Sequence, residues 1–355
     1  MWLSIAVILL ILLVVFQISK ASEYVAVLRG QDKAFKQSNK VNGFLMVTFL
    51  VLGLIAVYWC NKILYPKTNL HLGSSSVEGE QVDNLLWITI ILTGIVFFIT
   101  QILLFWFAFK YQHKEGRKAY FYPHNSKLEI VWTTVPTIVL AILIVFGLRS
   151  WALFTGAAPK NALQIEVTGK QFGWIFRYPG KDGVFGKKYF KNIDDANNPL
   201  GLIWKDSTEL GQKADPAAKD DIVAQSTVYV VKNRPVKFII NSRDVIHDFG
   251  LTWFRMKMDA VPGTPTEMWF TPKYTTKEMV ERTGNPNFAY EVSCDQLCGN
   301  GHYSMKGTIV VVSQAEYDAW LAKQTSAYSQ AFPAVAAGPA MAAAPASDSA
   351  AKAAK

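Results

Sequence analysis

Thiols and imidazoles are scarce in this chain, which has three cysteines and five histidines among 355 residues. So few cysteines exclude a disulfide-built scaffold. No Cys-x-x-Cys-His occurs, so no c-type haem is attached to the chain. Charge is scarce too: 18% of residues are charged, against 51% hydrophobic. That balance leans toward a membrane protein. The charge present is mostly positive, with 36 Lys and Arg against 27 Asp and Glu.

The apolar residues gather in four runs near 2–18, 43–60, 85–109 and 130–148. Each is long enough to cross a hydrocarbon core as a helix. Buried helices of a soluble protein are the alternative, and the near absence of charge inside the runs opposes it. The first run lacks a basic leader and a small-residue cleavage site before Lys20, so it reads as an uncleaved helix. The basic excess lies between the runs. Lys20, Arg29, Lys33, Lys36 and Lys40 crowd one loop; Lys110, Lys114, Arg117, Lys118 and Lys127 crowd another. The loop between them holds Glu78, Glu80 and Asp83 against Lys67. Cytoplasmic loops carry the Lys/Arg excess. Both basic loops are therefore expected inside a bacterial inner membrane, and residues 150–355 on its periplasmic side. The outer half is nearly neutral, so the basic excess reports membrane orientation and no nucleic acid is implied.

Beyond the runs, Gln164-Ile165-Glu166-Val167, Thr227 to Val231, Val236 to Ile240 and Thr308 to Val312 read as short strands. Many short strands without helices predict an all-β Greek-key sandwich or barrel. Residues 180–222, rich in Gly, Asp, Asn and Lys, read as a long surface loop. From Thr325 the chain is mostly Ala, Pro and Ser, which predicts a disordered tail.

One loop concentrates the scarce donors. Cys294-Asp295-Gln296-Leu297-Cys298-Gly299-Asn300-Gly301-His302-Tyr303-Ser304-Met305 holds both cysteines found after residue 60. Only His247 and His302 lie beyond residue 124. Thiolate, thioether and imidazole together favour copper. A local disulfide explains neither the histidines nor Met305. Structural zinc needs no Met and uses a further ligand pair. A single blue-copper centre uses one Cys. Two thiolates can instead bridge two copper ions, each capped by one histidine, with Met305 a weak ligand to one and a loop carbonyl serving the other.

The loop, with Asp244-Val245-Ile246-His247 and Lys257-Met258-Asp259-Ala260-Val261-Pro262-Gly263, resembles subunit II of the haem-copper cytochrome c oxidases. The resemblance covers roughly residues 83 to 315, and the Cys-x3-Cys-x3-His-x2-Met spacing is specific. It implies a cupredoxin domain with a binuclear copper centre, CuA. The ligands it implies are His247, Cys294, Cys298, His302, Met305 and the backbone carbonyl of Gln296. It also implies electrons taken from a cytochrome c and passed to the haems of subunit I, where oxygen is reduced to water with proton pumping. The partners implied are subunit I and other oxidase subunits.

The family has two helices in this subunit, matched by Leu128-Glu129-Ile130-Val131-Trp132-Thr133 and Pro136. The expected organisation is an extra helix pair in 1–64, the family hairpin in 83–150, the copper domain in 151–324 and a tail in 325–355. The extra pair is expected to pack against a neighbouring subunit. Glu129 matches an acid at the entrance of a proton path. Its plainer reading is a helix-end acid favoured by the N-terminal dipole.

Two positions depart from the family. In Gly169-Lys170-Gln171-Phe172-Gly173-Trp174-Ile175-Phe176-Arg177-Tyr178, Phe172 replaces the tryptophan that receives the electron, and Trp174 reads as strand core. A different cytochrome c, or one permanently bound in a supercomplex, is the alternative donor. Gln296 replaces a Glu whose carboxylate binds magnesium at the subunit I interface, and magnesium prefers charged oxygens. Competing functions are a CuA domain of another membrane reductase and a copper carrier or assembly protein. The membrane hairpin opposes the first. The closed ligand set opposes the second.

Overall fold

The computed structural model describes residues 2–333; residues 334–355, most of the expected tail, lie outside the described residues. The described residues form two compact units, residues 2–71 with 84–147, and residues 72–83 with 148–333.

Four long helices come first: α1 (Trp2–Arg29), α2 (Gln31–Leu64), α3 (Val77–Lys110) and α4 (Ser126–Thr155). They have 28, 34, 34 and 30 residues. At about 1.5 Å per residue each exceeds the ~30 Å hydrocarbon core. Their apolar side chains are mostly exposed, as lipid-facing surface must be. The first basic stretch is helical and not a loop. Its Ala, Glu, Lys, Gln and Arg are good helix formers, and the chain breaks only at Gly30, whose φ of 86° suits glycine. In the first unit α2 packs on α3. The rings of Phe44 and Phe109 lie 5.3 Å apart, those of Phe49 and Phe105 5.4 Å. Glu129 is half-buried at the start of α4. Its carboxylate accepts from the Asn125 backbone N–H at 3.1 Å, while Asn125 Oδ1 accepts from the Leu128 N–H at 3.1 Å. Those two bonds close the helix end.

The second unit is a sandwich of two five-stranded sheets. Its strands are β1 (Leu163–Lys170), β2 (Gly173–Tyr178), β3 (Ile222–Gln225), β4 (Thr227–Val231), β5 (Val236–Ser242), β6 (His247–Leu251), β7 (Met256–Ala260), β8 (Thr266–Phe270), β9 (Tyr290–Cys294) and β10 (Lys306–Val312). The sheet orders are β3-β2-β1-β5-β8 and β4-β10-β9-β6-β7. β1 with β5 and β4 with β10 run parallel; the other pairs are antiparallel. This is the cupredoxin-type sandwich expected. Between the sheets the Phe254 ring lies 4.6 Å from those of Phe270 and Tyr290. Truncating one such ring costs about 3–5 kcal/mol.

Three expectations are corrected. Helices accompany the strands: α5 (Thr276–Thr283), between β8 and β9, and α6 (Gln314–Leu321), after β10, each open on a capping box, Thr275 with Glu278 and Ser313 with Glu316. The 180–222 stretch is a folded excursion. Leu200, Leu202, Trp204 and Ala218 bury against Ile175 and Ala327. Arg177 reaches Glu166 at 2.5 Å and Asp221 at 2.8 Å, all three buried, and Lys188 also pairs with Glu166. The tail begins ordered, in α7 (Ala327–Ala331). Tyr328 and Phe332 stack edge-on against Trp204, at 5.9 and 5.8 Å. Two aromatics among alanines give that segment a core to join.

Ser76 and the acidic first turns of α3 are built into the sandwich. Ser76 Oγ donates to the Phe254 carbonyl at 2.7 Å and accepts from the Gly79 N–H at 3.0 Å. Glu78 accepts from the backbone and hydroxyl of Thr271, at 2.7 and 3.1 Å. Asp83 meets Arg255 at 2.7 Å, and Glu80 pairs with Lys273. A Cβ on Gly79 would fall 2.4 Å from the Phe254 carbonyl oxygen, so only glycine fits.

Candidate metal centre

The soft donors lie at one end of the sandwich. His247 opens β6, and Cys294 ends β9, its neighbour in the sheet. The Phe249–Cys294 and Gly250–Ser293 pairs set that register. The loop from Cys294 then folds back, making a single turn at His302–Ser304 before β10 begins.

The donor atoms converge. Cys294 Sγ and Cys298 Sγ are 3.8 Å apart. That is too far for a disulfide, and both are free thiols. Cys294 Sγ lies 3.8 Å from His247 Nδ1, and Cys298 Sγ lies 3.6 Å from His302 Nδ1. Met305 Sδ is 3.8 Å from Cys298 Sγ, and the Gln296 carbonyl oxygen 3.2 Å from Cys294 Sγ. Each sulfur thus has its own histidine and its own weak donor. His247, Cys294, Cys298 and Met305 are buried; His302 is half-buried. One donor each from His247, Cys294 and Cys298 fits within 4.8 Å. Burial, then the neighbouring Cys294 thiol, pushes the Cys298 thiol up to about 11. Two adjacent buried thiols keep their protons unless a cation replaces them. The set is soft and mostly buried, which suits copper.

Two residues to which the sequence alone gave no role, Asp244 and Gln171, hold the donors in place. Asp244 Oδ1 accepts from His247 Nε2 at 2.8 Å, leaving Nδ1 toward the sulfurs. Asp244 Oδ2 accepts from the Gln171 backbone N–H at 2.8 Å. Burial raises the Asp244 carboxyl, but hydrogen bonds from Gln171, His247 and Val245 outweigh it and hold it below the usual range. Gln171 Nε2 in turn donates to the Cys298 carbonyl at 2.6 Å. Gln171 and Phe172 form the two-residue connection between β1 and β2. The Phe172 ring lies against the loop: a Cβ on Gly301 would fall 2.5 Å from it, and one on Gly299 3.0 Å. The Gly-Asn-Gly sequence makes room for that ring. An acid three residues before His247 was the one signal for this clamp.

Phe172 is 41% exposed, whereas Trp174 is 1% exposed in the core, its ring 6.0 Å from His247 and 5.2 Å from Phe249. Gln296 turns its carbonyl inward, while the residue as a whole is exposed. Glu129 belongs to the first unit, the donor set to the second.

Comparison with known proteins agrees with this geometry. Residues 66–150 match the cytochrome c oxidase subunit II transmembrane domain, and residues 163–314 its periplasmic domain. The alternative cytochrome c oxidase subunit 2 of Bradyrhizobium diazoefficiens is 37% identical over 245 residues, covering 68% of this chain and 80% of that protein. Cytochrome c oxidase subunit 2 of Cereibacter sphaeroides is 30% identical over 259 residues, covering 71% and 79%. The crystal structure of the periplasmic domain of subunit II of cytochrome oxidase from Bradyrhizobium japonicum covers 47% of this chain and 95% of its own, at 26% identity and a TM-score of 0.30. With both domains matched in order and a His-Cys-Cys cluster lying within the stretch that matches the periplasmic domain, the chain belongs to the cytochrome c oxidase subunit II family, the electron-transfer subunit of a terminal oxidase.

Proposed function

We propose that this chain holds a binuclear copper centre through His247, Cys294, Cys298, His302, Met305 and the Gln296 carbonyl. It takes electrons from a cytochrome c and passes them toward the haems of subunit I. One observation carries this reading: two unbonded sulfurs 3.8 Å apart, each facing a different histidine nitrogen. Bound there, a copper pair supplies a one-electron carrier.

The chain's own residues do the rest. Cys294 and Cys298 supply two negative charges that offset the metal. Asp244 fixes the tautomer of His247, and Gln171 fixes the Cys298 carbonyl. The sandwich core and the Phe172 ring exclude water from the sulfurs. A site held this firmly changes little when its charge changes, which favours fast electron transfer. The extra helix pair, in this reading, meets a neighbouring subunit in the bacterial inner membrane. Glu129 would stand at a proton path, an assignment carried by family likeness, since its bonds here serve the helix end. The exposed Gln296 side chain offers magnesium only an amide oxygen, a weaker ligand than carboxylate.

Metal analysis and electron paramagnetic resonance of the purified full-length chain in its complex test the assignment. Two coppers sharing one unpaired electron are expected. One copper per chain, or zinc, would overturn it.

A further inference from the structure

The excursion between β2 and β3 contributes no donor to the metal centre, yet it reaches that end of the sandwich. It is well anchored, by the buried Arg177, Glu166 and Asp221 at one side and Trp204 at another. Its turn at Asp194–Asn198 closes on itself. The Asp194 N–H donates to the Asn198 carbonyl at 3.1 Å, and the Asn198 N–H to the Asp194 carbonyl at 2.8 Å. The Asp194 carboxylate is occupied by the Ala196 N–H and the Asn197 amide, at 3.0 and 2.9 Å. Asp195 is left to reach outward. Its Oδ1 accepts from Arg243 Nη1 at 2.5 Å and from Lys170 Nζ at 3.4 Å.

These two cations occupy particular places. Lys170 directly precedes Gln171 and Phe172, and Arg243 directly precedes Asp244. Both therefore flank the clamp over the donor set. Their side chains are 22% and 19% exposed, while the Asp195 carboxylate covering them is 66% exposed. Asp244 follows Arg243 and accepts from His247 and from the Gln171 backbone, so two carboxylates, Asp195 and Asp244, stand against two cations at this edge. The surface beside it is apolar: Phe172, Val245, Ile246 and Tyr303 are 41%, 38%, 47% and 83% exposed.

We propose that Asp195 is a specificity-determining residue: by masking Lys170 and Arg243, it gives the electron-accepting face an apolar, charge-balanced surface fitted to a cytochrome that docks without electrostatic steering. Charges at an interface rim act mainly on association rate and salt dependence. Clefts of one sign raise or lower on-rates of charged partners by 10-fold or more, as an order of magnitude. A balanced face does neither. It suits a donor already held nearby, for which high effective concentration replaces long-range attraction. The inference rests on the proposed function and takes Phe172, which stands at the family's electron-receiving position, as the point of entry.

The test uses the intact purified oxidase complex and two soluble cytochromes c, one cationic and one anionic. Stopped-flow reduction is followed at about 0.01 M salt, where the Debye length is about 30 Å, and at about 0.3 M, where charge is screened. For the unaltered complex, both rates should change by less than about threefold between the two salts. Asp195→Asn unmasks positive charge. It should slow the cationic donor and speed the anionic one by roughly three- to tenfold at low salt, with the effect lost at high salt. Adding Lys170→Gln should reverse it. The copper resonance signal should stay unchanged throughout. If Asp195→Asn moves both donors alike, or moves neither while Phe172→Ala slows both, masking is refuted and the site reading stands. If Phe172→Ala is also silent, electrons enter elsewhere, and the reading falls together with the inference.

Discussion

Gln171 Nε2 donates to the carbonyl oxygen of Cys298 across 2.6 Å, although 127 residues separate the two. The same glutamine uses its backbone N–H to hold Asp244, which holds His247. One residue of a strand connection thus touches both elements that carry the donors. Gln171→Leu should leave the sandwich folded and weaken copper binding by roughly tenfold, as expected for about 1–2 kcal/mol lost with one partly buried hydrogen bond. The reduction potential and the thiolate-to-copper absorption should shift as well. Gln171→Glu keeps the size and loses the N–H donor, so it should resemble the leucine variant. Wild-type spectra in both would show that the bond does not position the loop.

The sulfurs and the thioether have unequal roles. Cys294→Ser or Cys298→Ser should abolish the binuclear resonance signal, since each sulfur faces both the other sulfur and a histidine. Met305→Leu should keep copper and move its potential, because a weak axial thioether tunes the site. Loss of copper in Met305→Leu alongside a preserved signal in Cys294→Ser would reverse these roles.

Asp221 makes a prediction in pH. It is fully buried, and burial outweighs the Arg177 guanidinium, pushing its carboxyl up to about 6. Its folded value lies above the ordinary one, so the folded state binds this proton more tightly than the unfolded chain. The group opposes folding above pH 6, and that penalty fades as pH falls toward the ordinary carboxylate value of about 3.9. Asp221→Asn should therefore stabilise the outer unit by about 1–3 kcal/mol at pH 8 and by much less near pH 4. Denaturation of the detergent-purified chain at both values measures it. Equal effects at the two would assign the change to packing.

Topology can be read by labelling. His71, Ser38 and Ser126 are exposed, and each takes a single cysteine in a background with Cys60, Cys294 and Cys298 replaced by serine. An impermeant thiol reagent added to intact cells should label His71→Cys and spare Ser38→Cys and Ser126→Cys. Labelling of either serine position would invert or break the four-span arrangement.

Much of this molecule can be read from residue types, for physical reasons. Four apolar runs have no other solvent than lipid, so the helices are plain. Strands β1, β4, β5 and β10 are β-branched and legible. Strands β6 and β7 carry Asp, Gly, Lys and Met, and their burial comes from partners that no local pattern reveals. The donor set stands out because thiols, thioethers and imidazoles are rare here. Gln171, Asp244 and Asp195 do not, because amides and carboxylates are ordinary surface groups until a partner 73, 3 or 48 residues away gives them a task. The excursion and α7 were hidden for a similar reason: Trp204 finds Tyr328 and Phe332 only after folding.

The pairing of β6 with β9 rests on two residue pairs, Phe249 with Cys294 and Gly250 with Ser293. Side chains alternate faces along a strand, so a slip of one residue would turn His247 away from the sulfurs. The same slip would turn Phe249, two residues on and on the same face, out of the core, so the oily interior and the donor set depend on one register. A metal held by His247 and the two sulfurs would serve as an alignment mark, and its absorbance in the visible range would assay whether two neighbouring strands have met in step.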